Sequence, residues 1–404
     1  MTSFSLLQKK TIEYWYNETL LEDNFPTPNN KFLSSQFKNI LIIGSNTLLN
    51  FYLLKQLLKR DDCESIYILN KFTIDEQQEK QNIFQAIESL TGAEISKDDR
   101  EKLKLLNSDL KNGQKMFGLS KHIYENLSST IDIIINSGSI VDFSLSYELS
   151  KIENVNGIKQ VLKFSNSNPN YLMKIVHLSS ISLFFNNEKV LEEKDLPELG
   201  LLNGKYGYYQ SKTISEYILK EASSRGYKIL LIRVPTLISI EKGVVDEFDL
   251  FISLLKKSLS NGIFPDMAHF ENYNVVQVEW FSRVLFKLIT DNSLVIQENL
   301  NIFNPSHFTQ IRPIVHTISK EFNIPTINMD DWISHIGLSK DISIKNKAAI
   351  VNFFCKQKKF ISPMSIKTWN YLVGINEHSN INIDYNSFLK FLNIDLNYKK
   401  NSLL

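Results

Sequence analysis

The chain has 404 residues, 43% hydrophobic and 11% aromatic, with Lys+Arg 45 against Asp+Glu 44 and a formal net charge of +1. That apolar content supplies a buried core and excludes disorder, while the charge balance provides no global field for nucleic acid or an anionic membrane. Cys63 and Cys355 form no CxxC or metal spacing, which excludes a disulfide scaffold and fits a reducing, cytoplasmic compartment.

Residues 1–36 lack the apolar core of a signal peptide and end in the breaker-rich Asn24-Phe25-Pro26-Thr27-Pro28-Asn29-Asn30, so they are expected to be a helical lead-in closed by a loop. Short apolar runs then alternate with longer amphipathic stretches. Strands are predicted near 39–43, 65–69, 103–106, 131–136, 172–178 and 228–233, and helices near 48–60, 75–91, 119–127, 144–165 and 207–225. No apolar run approaches the ~20 residues of a membrane span. The expected fold is α/β, a Rossmann-type doubly wound parallel sheet occupying 37–240. Beyond residue 240 the alternation weakens into helical patterns near 247–259, 278–290, 309–322, 343–357 and 384–393. Residues 241–404 are therefore expected to form a smaller, mostly helical substrate lobe, with some strands returning to the core sheet.

Ile40-Leu41-Ile42-Ile43-Gly44-Ser45-Asn46-Thr47-Leu48-Leu49-Asn50 reads as a buried strand, a glycine turn and a helix start. Dinucleotide sites place glycines here because backbone must turn sharply and approach the pyrophosphate. Gly44 holds the first glycine position, and Thr47 and Asn50 hold the other two. The second predicted strand is followed by Lys71 rather than an acid, which suits the 2′-phosphate of NADP better than free ribose hydroxyls; a solvated surface lysine is the plain alternative. Asp109, followed by Leu110, either reaches the adenine or makes a turn.

Ile175-Val176-His177-Leu178 runs into Ser179-Ser180 at a strand's carboxyl end, where open α/β sheets bind ligands. Downstream, Gly207-Tyr208-Tyr209-Gln210-Ser211-Lys212 opens an amphipathic helix, and Tyr208 and Lys212, four apart, share one face. A nearby cation favours a tyrosine's ionised form, and a seryl hydroxyl can orient a carbonyl as charge develops on it. Ser180, Tyr208 and Lys212 thus make a carbonyl-reducing trio. Taken singly, Ser179-Ser180 also reads as a strand-end cap, the Tyr-xxx-Lys pair as chance spacing and His177 as a core histidine. The seven histidines include no metal-spaced pair, so no metal is assigned. No Gly-x-Ser-x-Gly elbow or Walker loop points to hydrolase or kinase chemistry.

Several stretches resemble one family. Asp132-Ile133-Ile134-Ile135-Asn136-Ser137-Gly138-Ser139-Ile140-Val141-Asp142-Phe143 looks like a His-Asn-Ala-Ala-x-Val-Asn motif, and Asn154-Val155-Asn156-Gly157 like Asn-Val-x-Gly. Gly207 to Glu216 looks like Gly-Tyr-x-x-Ser-Lys-x-x-x-Glu, and Gly262 to Asp266 and Val276 to Trp280 continue the likeness. In that order, over roughly residues 37–310, they resemble the thioester reductase domains that end nonribosomal peptide synthetases and carboxylic acid reductases, extended short-chain dehydrogenase/reductases related to fatty acyl-CoA reductases. The resemblance implies Ser180, Tyr208, Lys212 and Asn154 as the catalytic set. It implies cofactor contacts from Gly44, Asn46, Thr47, Leu48, Lys71, Asp109, Leu110, Ser137, Gly138 and Ser139. NADPH is the implied cofactor. The implied partner is an acyl or peptidyl carrier protein bearing a phosphopantetheine thioester, or else acyl-CoA, reduced to an aldehyde or further to an alcohol.

Departures gather at the cofactor end. Thr47 and Asn50 replace glycines, Asn136 replaces a histidine, and Arg233-Val234-Pro235-Thr236 lacks the glycine usual after that strand. They carry an alternative, a non-redox thioester-releasing cyclase or a pseudo-reductase binding module. A reductase of nucleotide sugars shares the trio but not the later motifs.

Overall fold

Ile40, Leu41, Ile42 and Ile43 are apolar at four successive positions because the strand they form is covered on both faces. Ile40 and Ile42 point into one hydrophobic layer, and Leu41 and Ile43 into the other. The computed structural model describes residues 6–29, 31–44, 47–108, 115–184, 193–203, 206–239, 242, 244–245, 250–266, 275–290, 299–301 and 311–337. In chain order its first half holds α1 (Leu6–Glu18), β1 (Phe32–Leu33), β2 (Asn39–Ile43), α2 (Leu48–Leu58), β3 (Ser65–Asn70), α3 (Glu76–Thr91), α4 (Lys97–Glu101), β4 (Leu103–Asn107), α5 (Lys121–Thr130), β5 (Ile133–Asn136), α6 (Tyr147–Ser165) and β6 (Tyr171–Leu172). There follow β7 (Lys174–Ser180), α7 (Gly207–Ser224), β8 (Ile229–Val234), β9 (Thr236–Ser239), β10 (Val244–Val245), α8 (Leu250–Asn261), β11 (Phe264–Pro265), β12 (Val275–Gln277), α9 (Val278–Thr290), β13 (Asn299–Asn301), α10 (Ile311–Glu321), β14 (Thr326–Ile327) and α11 (Met329–Gly337).

Seven strands make one sheet in the order β13-β8-β7-β5-β2-β3-β4, with every pair parallel. The chain enters at β2, runs outward to β3 and β4, then crosses back to β5 on the other side. Its winding therefore reverses between β2 and β5, and a crevice opens beyond their carboxyl ends, the place where doubly wound sheets hold ligands. One face is covered by α2, α3 and α9 through Leu53, Leu57, Phe84, Trp280 and Leu285, all buried. The other is covered by α5, α6 and α7, with Leu127, Val155, Ile158, Ile214 and Ile218. Six of the sheet's strands lie within two residues of their sequence-predicted positions, and the fold class is that expected. The seventh, β13, is only Asn299-Leu300-Asn301 and carries no apolar run to announce it. Of the later helices, those expected near 247–259, 278–290 and 309–322 are α8, α9 and α10, while the two near 343–357 and 384–393 lie outside the described residues.

The leading segment is tied to α6 and α7 by polar contacts. Tyr14 Oη donates to Glu148 Oε1 at 2.8 Å, Tyr147 Oη to Glu18 Oε2 at 2.5 Å, and the Leu21 amide to Glu221 Oε2 at 2.8 Å. Helices α6 and α7 meet so closely that a Cβ on Gly207 would fall 2.4 Å from the carbonyl carbon and oxygen of Ser146. A glycine at the first position of α7 thus sets how near its next residue, Tyr208, comes to the loop that leads into α6. Among the described residues no helix is long and apolar enough to cross a membrane.

Candidate active site

Gly44 follows β2 with a φ of +78°, in the left-handed region. A Cβ there would lie 2.7 Å from Gly138 Cα and 2.8 Å from Gly138 N, so the turn after β2 and the loop after β5 touch backbone to backbone across the crevice. Ser137 locks the same crossing: its amide donates to Ile43 O at 3.0 Å, and its Oγ lies 2.7 Å from Gly44 O. Two side chains stand where glycines were expected. Thr47 is the N-cap of α2, its hydroxyl accepting from the Asn50 amide at 3.2 Å. Asn50 is fully buried, and its Nδ2 donates to Gly44 O and to Ser137 Oγ at 2.8 Å each. That nitrogen is spent inside the turn. Lys71 is exposed just after β3, and Leu48 begins α2. Asn46, Asp109 and Leu110 lie outside the described residues.

On the far side of the crevice, β7 ends in Ser179-Ser180 and α7 begins with Gly207-Tyr208. Burial pushes the Tyr208 hydroxyl up to about 12, and the neighbouring Ser180 side chain opposes that rise. Its ring meets Phe143 edge-on, with centroids 5.2 Å apart. Lys212, one helical turn on, is 3% exposed and donates from Nζ to Leu178 O at 2.8 Å. Burial pulls its ammonium down to about 8, against the attraction of Glu216. The structure thus brings Ser180, Tyr208 and Lys212 together at one strand end. Asn154 stands one step behind them: its Oδ1 accepts from the Ile140 amide at 2.8 Å and from Ser139 Oγ at 3.1 Å, while Nδ2 donates to Ser211 Oγ at 2.9 Å. It fastens the loop after β5 to the helix that carries Tyr208.

Several groups around this centre have no motif of their own. His177 is buried with Nε2 3.5 Å from Lys212 Nζ and Nδ1 3.2 Å from Asn136 Nδ2; burial first, and then Lys212, hold its pKa far below the usual imidazole value. Ser182 Oγ lies 2.8 Å from Ser180 Oγ. Behind them is a wholly buried ion pair in which Arg233 Nη2 donates to Glu216 Oε2 at 2.8 Å and Ser179 Oγ to Glu216 Oε1 at 2.5 Å. Arg233 also donates to the Glu193 and Asp195 carbonyls at 2.9 and 2.7 Å. A charge closing the apolar run Ile229-Leu230-Leu231-Ile232 is a sequence signal that a buried partner must exist. Among the described residues no cluster of three His, Cys, Asp or Glu side chains could hold a metal.

The Lys212 ammonium gives a stability test. Its folded-state pKa of about 8 lies below the ordinary 10.5. Between those values the unfolded chain binds a proton that the folded chain does not, so this group's contribution to stability rises with pH across the window, and the cost of burying its charge is full below it. In Lys212→Met that dependence disappears. The wild-type-minus-variant difference in unfolding free energy should climb by roughly 3 kcal/mol at most from pH 8 to 10.5. Urea unfolding at intervals of pH measures it, and parallel profiles would contradict the buried charge.

A family model described as male sterility protein, in an NAD-binding group, matches residues 42–285. The chain is 30% identical over 373 residues to the probable polyketide synthase 6 of Dictyostelium discoideum, covering 87% of this chain and 12% of that protein. Against the probable polyketide synthase 9/36 of the same organism the figures are 30% over 401 residues, 95% and 13%. The chain thus spans about an eighth of the length of these relatives. Among solved structures, the terminal R domain from the myxalamid PKS-NRPS biosynthetic pathway aligns with a TM-score of 0.76 at 21% identity, over 95% of this chain and 97% of that one. A thiolation-reductase di-domain from an archaeal non-ribosomal peptide synthetase aligns at 0.66 and 17%, over 95% and 79%. At these identities the likeness is one of fold.

Proposed function

The chain belongs to the male sterility protein family, and from that premise we propose that it is an NADPH-dependent reductase of acyl thioesters, presented on the phosphopantetheine arm of a carrier protein or as acyl-CoA. The observation that carries this reading is the buried Tyr208, beside Ser180 and one turn from Lys212, near the crevice where Gly44 and Gly138 cross. The thiolation-reductase di-domain supports a carrier partner, and the polyketide synthases in which relatives of this chain are a small part support a role in offloading or tailoring a bound chain.

The residues present fit a dinucleotide. The left-handed Gly44 leaves the crossing lined by backbone, and Asn50 is turned inward. On this reading Gly44, Asn46, Thr47 and Leu48 face the pyrophosphate at the start of α2, where free helix amides favour anions. Lys71 meets the 2′-phosphate, Asp109 and Leu110 the adenine, Ser137, Gly138 and Ser139 the nicotinamide side, and Lys212 the adjoining ribose. When bound, the reduced nicotinamide supplies a hydride to the thioester carbonyl carbon.

The chain's own groups handle the oxygen. Ser180 and Tyr208 donate hydrogen bonds to it as negative charge accumulates, and Tyr208, held neutral by burial, passes it a proton. Lys212 stabilises the phenolate left behind. The resulting hemithioacetal loses its C–S bond, releasing aldehyde and thiol.

Titrating NADPH and NADH against the intrinsic tryptophan fluorescence, followed by product analysis with an acyl-pantetheine thioester and a UDP-sugar, tests the proposal. Preferential NADPH binding and aldehyde from the thioester alone are expected. A chain that binds neither nucleotide is no reductase, and non-redox release or carrier binding would take its place.

A further inference from the structure

The short turn Ile181–Phe184 follows β7 directly and places a second hydroxyl against Ser180. Ser182 Oγ lies 2.8 Å from Ser180 Oγ, and the Ser182 amide donates to Ser180 Oγ at 3.2 Å. A serine oxygen has one hydrogen to give and two lone pairs to fill. In the proposed reduction, on which this argument rests, Ser180 must spend that hydrogen on the substrate oxygen. The hydrogen is available only if Ser180 accepts from its neighbours, and the Ser182 amide fills just one lone pair.

We infer that Ser182 is a positioning residue for Ser180: its hydroxyl fills the second lone pair of Ser180 Oγ and so turns the Ser180 hydrogen toward the thioester carbonyl. Ser182 donates to Ser180, Ser180 donates to the carbonyl oxygen, and Tyr208 donates to that oxygen from its other side. A hydroxyl that already accepts a hydrogen bond is polarised into a stronger donor, so the effect grows as charge builds on the carbonyl oxygen. Ser182 is half-buried and touches the reaction only through Ser180.

The experiment follows aldehyde formation from an acyl-pantetheine thioester with NADPH, using the full chain. Ser182→Ala is expected to lower kcat about three- to tenfold, the worth of one neutral hydrogen bond, with the thioester KM and the NADPH Kd within about twofold of wild type. Ser182→Thr, which keeps the hydroxyl, should restore most of the rate. In a Ser180→Ala background, Ser182→Ala should cost nothing further, because the group it orients is gone. A purely structural serine would cost the same in both backgrounds, and that additive result overturns the inference, as does a Ser182→Ala enzyme turning over at the wild-type rate. An inert wild type overturns the reductase reading and this one with it; an active wild type with an indifferent Ser182 overturns this one alone.

Discussion

Tyr208→Phe is expected to cut aldehyde formation by about 10²- to 10⁴-fold, the range for a positioned proton donor, while NADPH affinity and the unfolding midpoint stay near wild type. The substitution removes one oxygen and leaves the ring, and it is the ring that packs edge-on against Phe143 5.2 Å away. The hydroxyl lies in a buried environment, so in a chain with no proton donor at that place the alkoxide would have to form unprotonated. Ser180 still has Ser182 as a hydrogen-bond partner, so its side chain is not set adrift by the loss. Single-turnover product formation with bound NADPH separates chemistry from release. A variant retaining more than about a tenth of the wild-type rate would move the proton donor elsewhere.

The largest stability effect is expected at Glu216. Glu216→Ala should cost about 3–5 kcal/mol, because it takes from a guanidinium in the interior the carboxylate that pairs with it. Arg233 and Glu216 are both fully buried, so no solvent can move in to compensate. The Glu193 and Asp195 carbonyls still accept from Arg233, but neutral oxygens do not balance a full charge. The damage reaches the site because Ser179, which donates to Glu216, adjoins Ser180. The paired change Glu216→Leu with Arg233→Met removes both charges and should recover much of the loss. Urea midpoints of the three proteins decide the matter, and a single-variant cost under about 1 kcal/mol would mean that the pair contributes little.

How much was legible depended on how local the signal was. Strands β2, β3, β5, β7 and β8 could be placed because a strand covered on both faces must be apolar at nearly every position, as Ile40 to Ile43 are. Strand β13 could not, since a three-residue edge strand flanked by asparagines carries no such mark. Strand β9 between β10 and β12 escaped for a related reason: all three are short, and β12 joins β9 from well down the chain. At the site, Ser180, Tyr208 and Lys212 were visible as residue types in order along the chain. The inward turn of Asn50 was not, because it depends on Ser137, 87 residues away. Nor was the pairing of His177 with Lys212 and Asn136, separations of 35 and 41 residues. Ser182 was in plain view two places after Ser180, but a hydroxyl's aim is decided by the turn that carries it.

Strand β13 also bears on how the molecule is made. It pairs with β8 through Asn299–Leu231, Leu300–Ile232 and Asn301–Arg233, so the outer edge of β8 stays bare until a segment 68 residues further along the chain has been made. Until then β8 offers unsatisfied amides and carbonyls to any passing strand, its own or a neighbour's. A chaperone that shields β8 during that interval would raise the yield of native protein without altering its final stability.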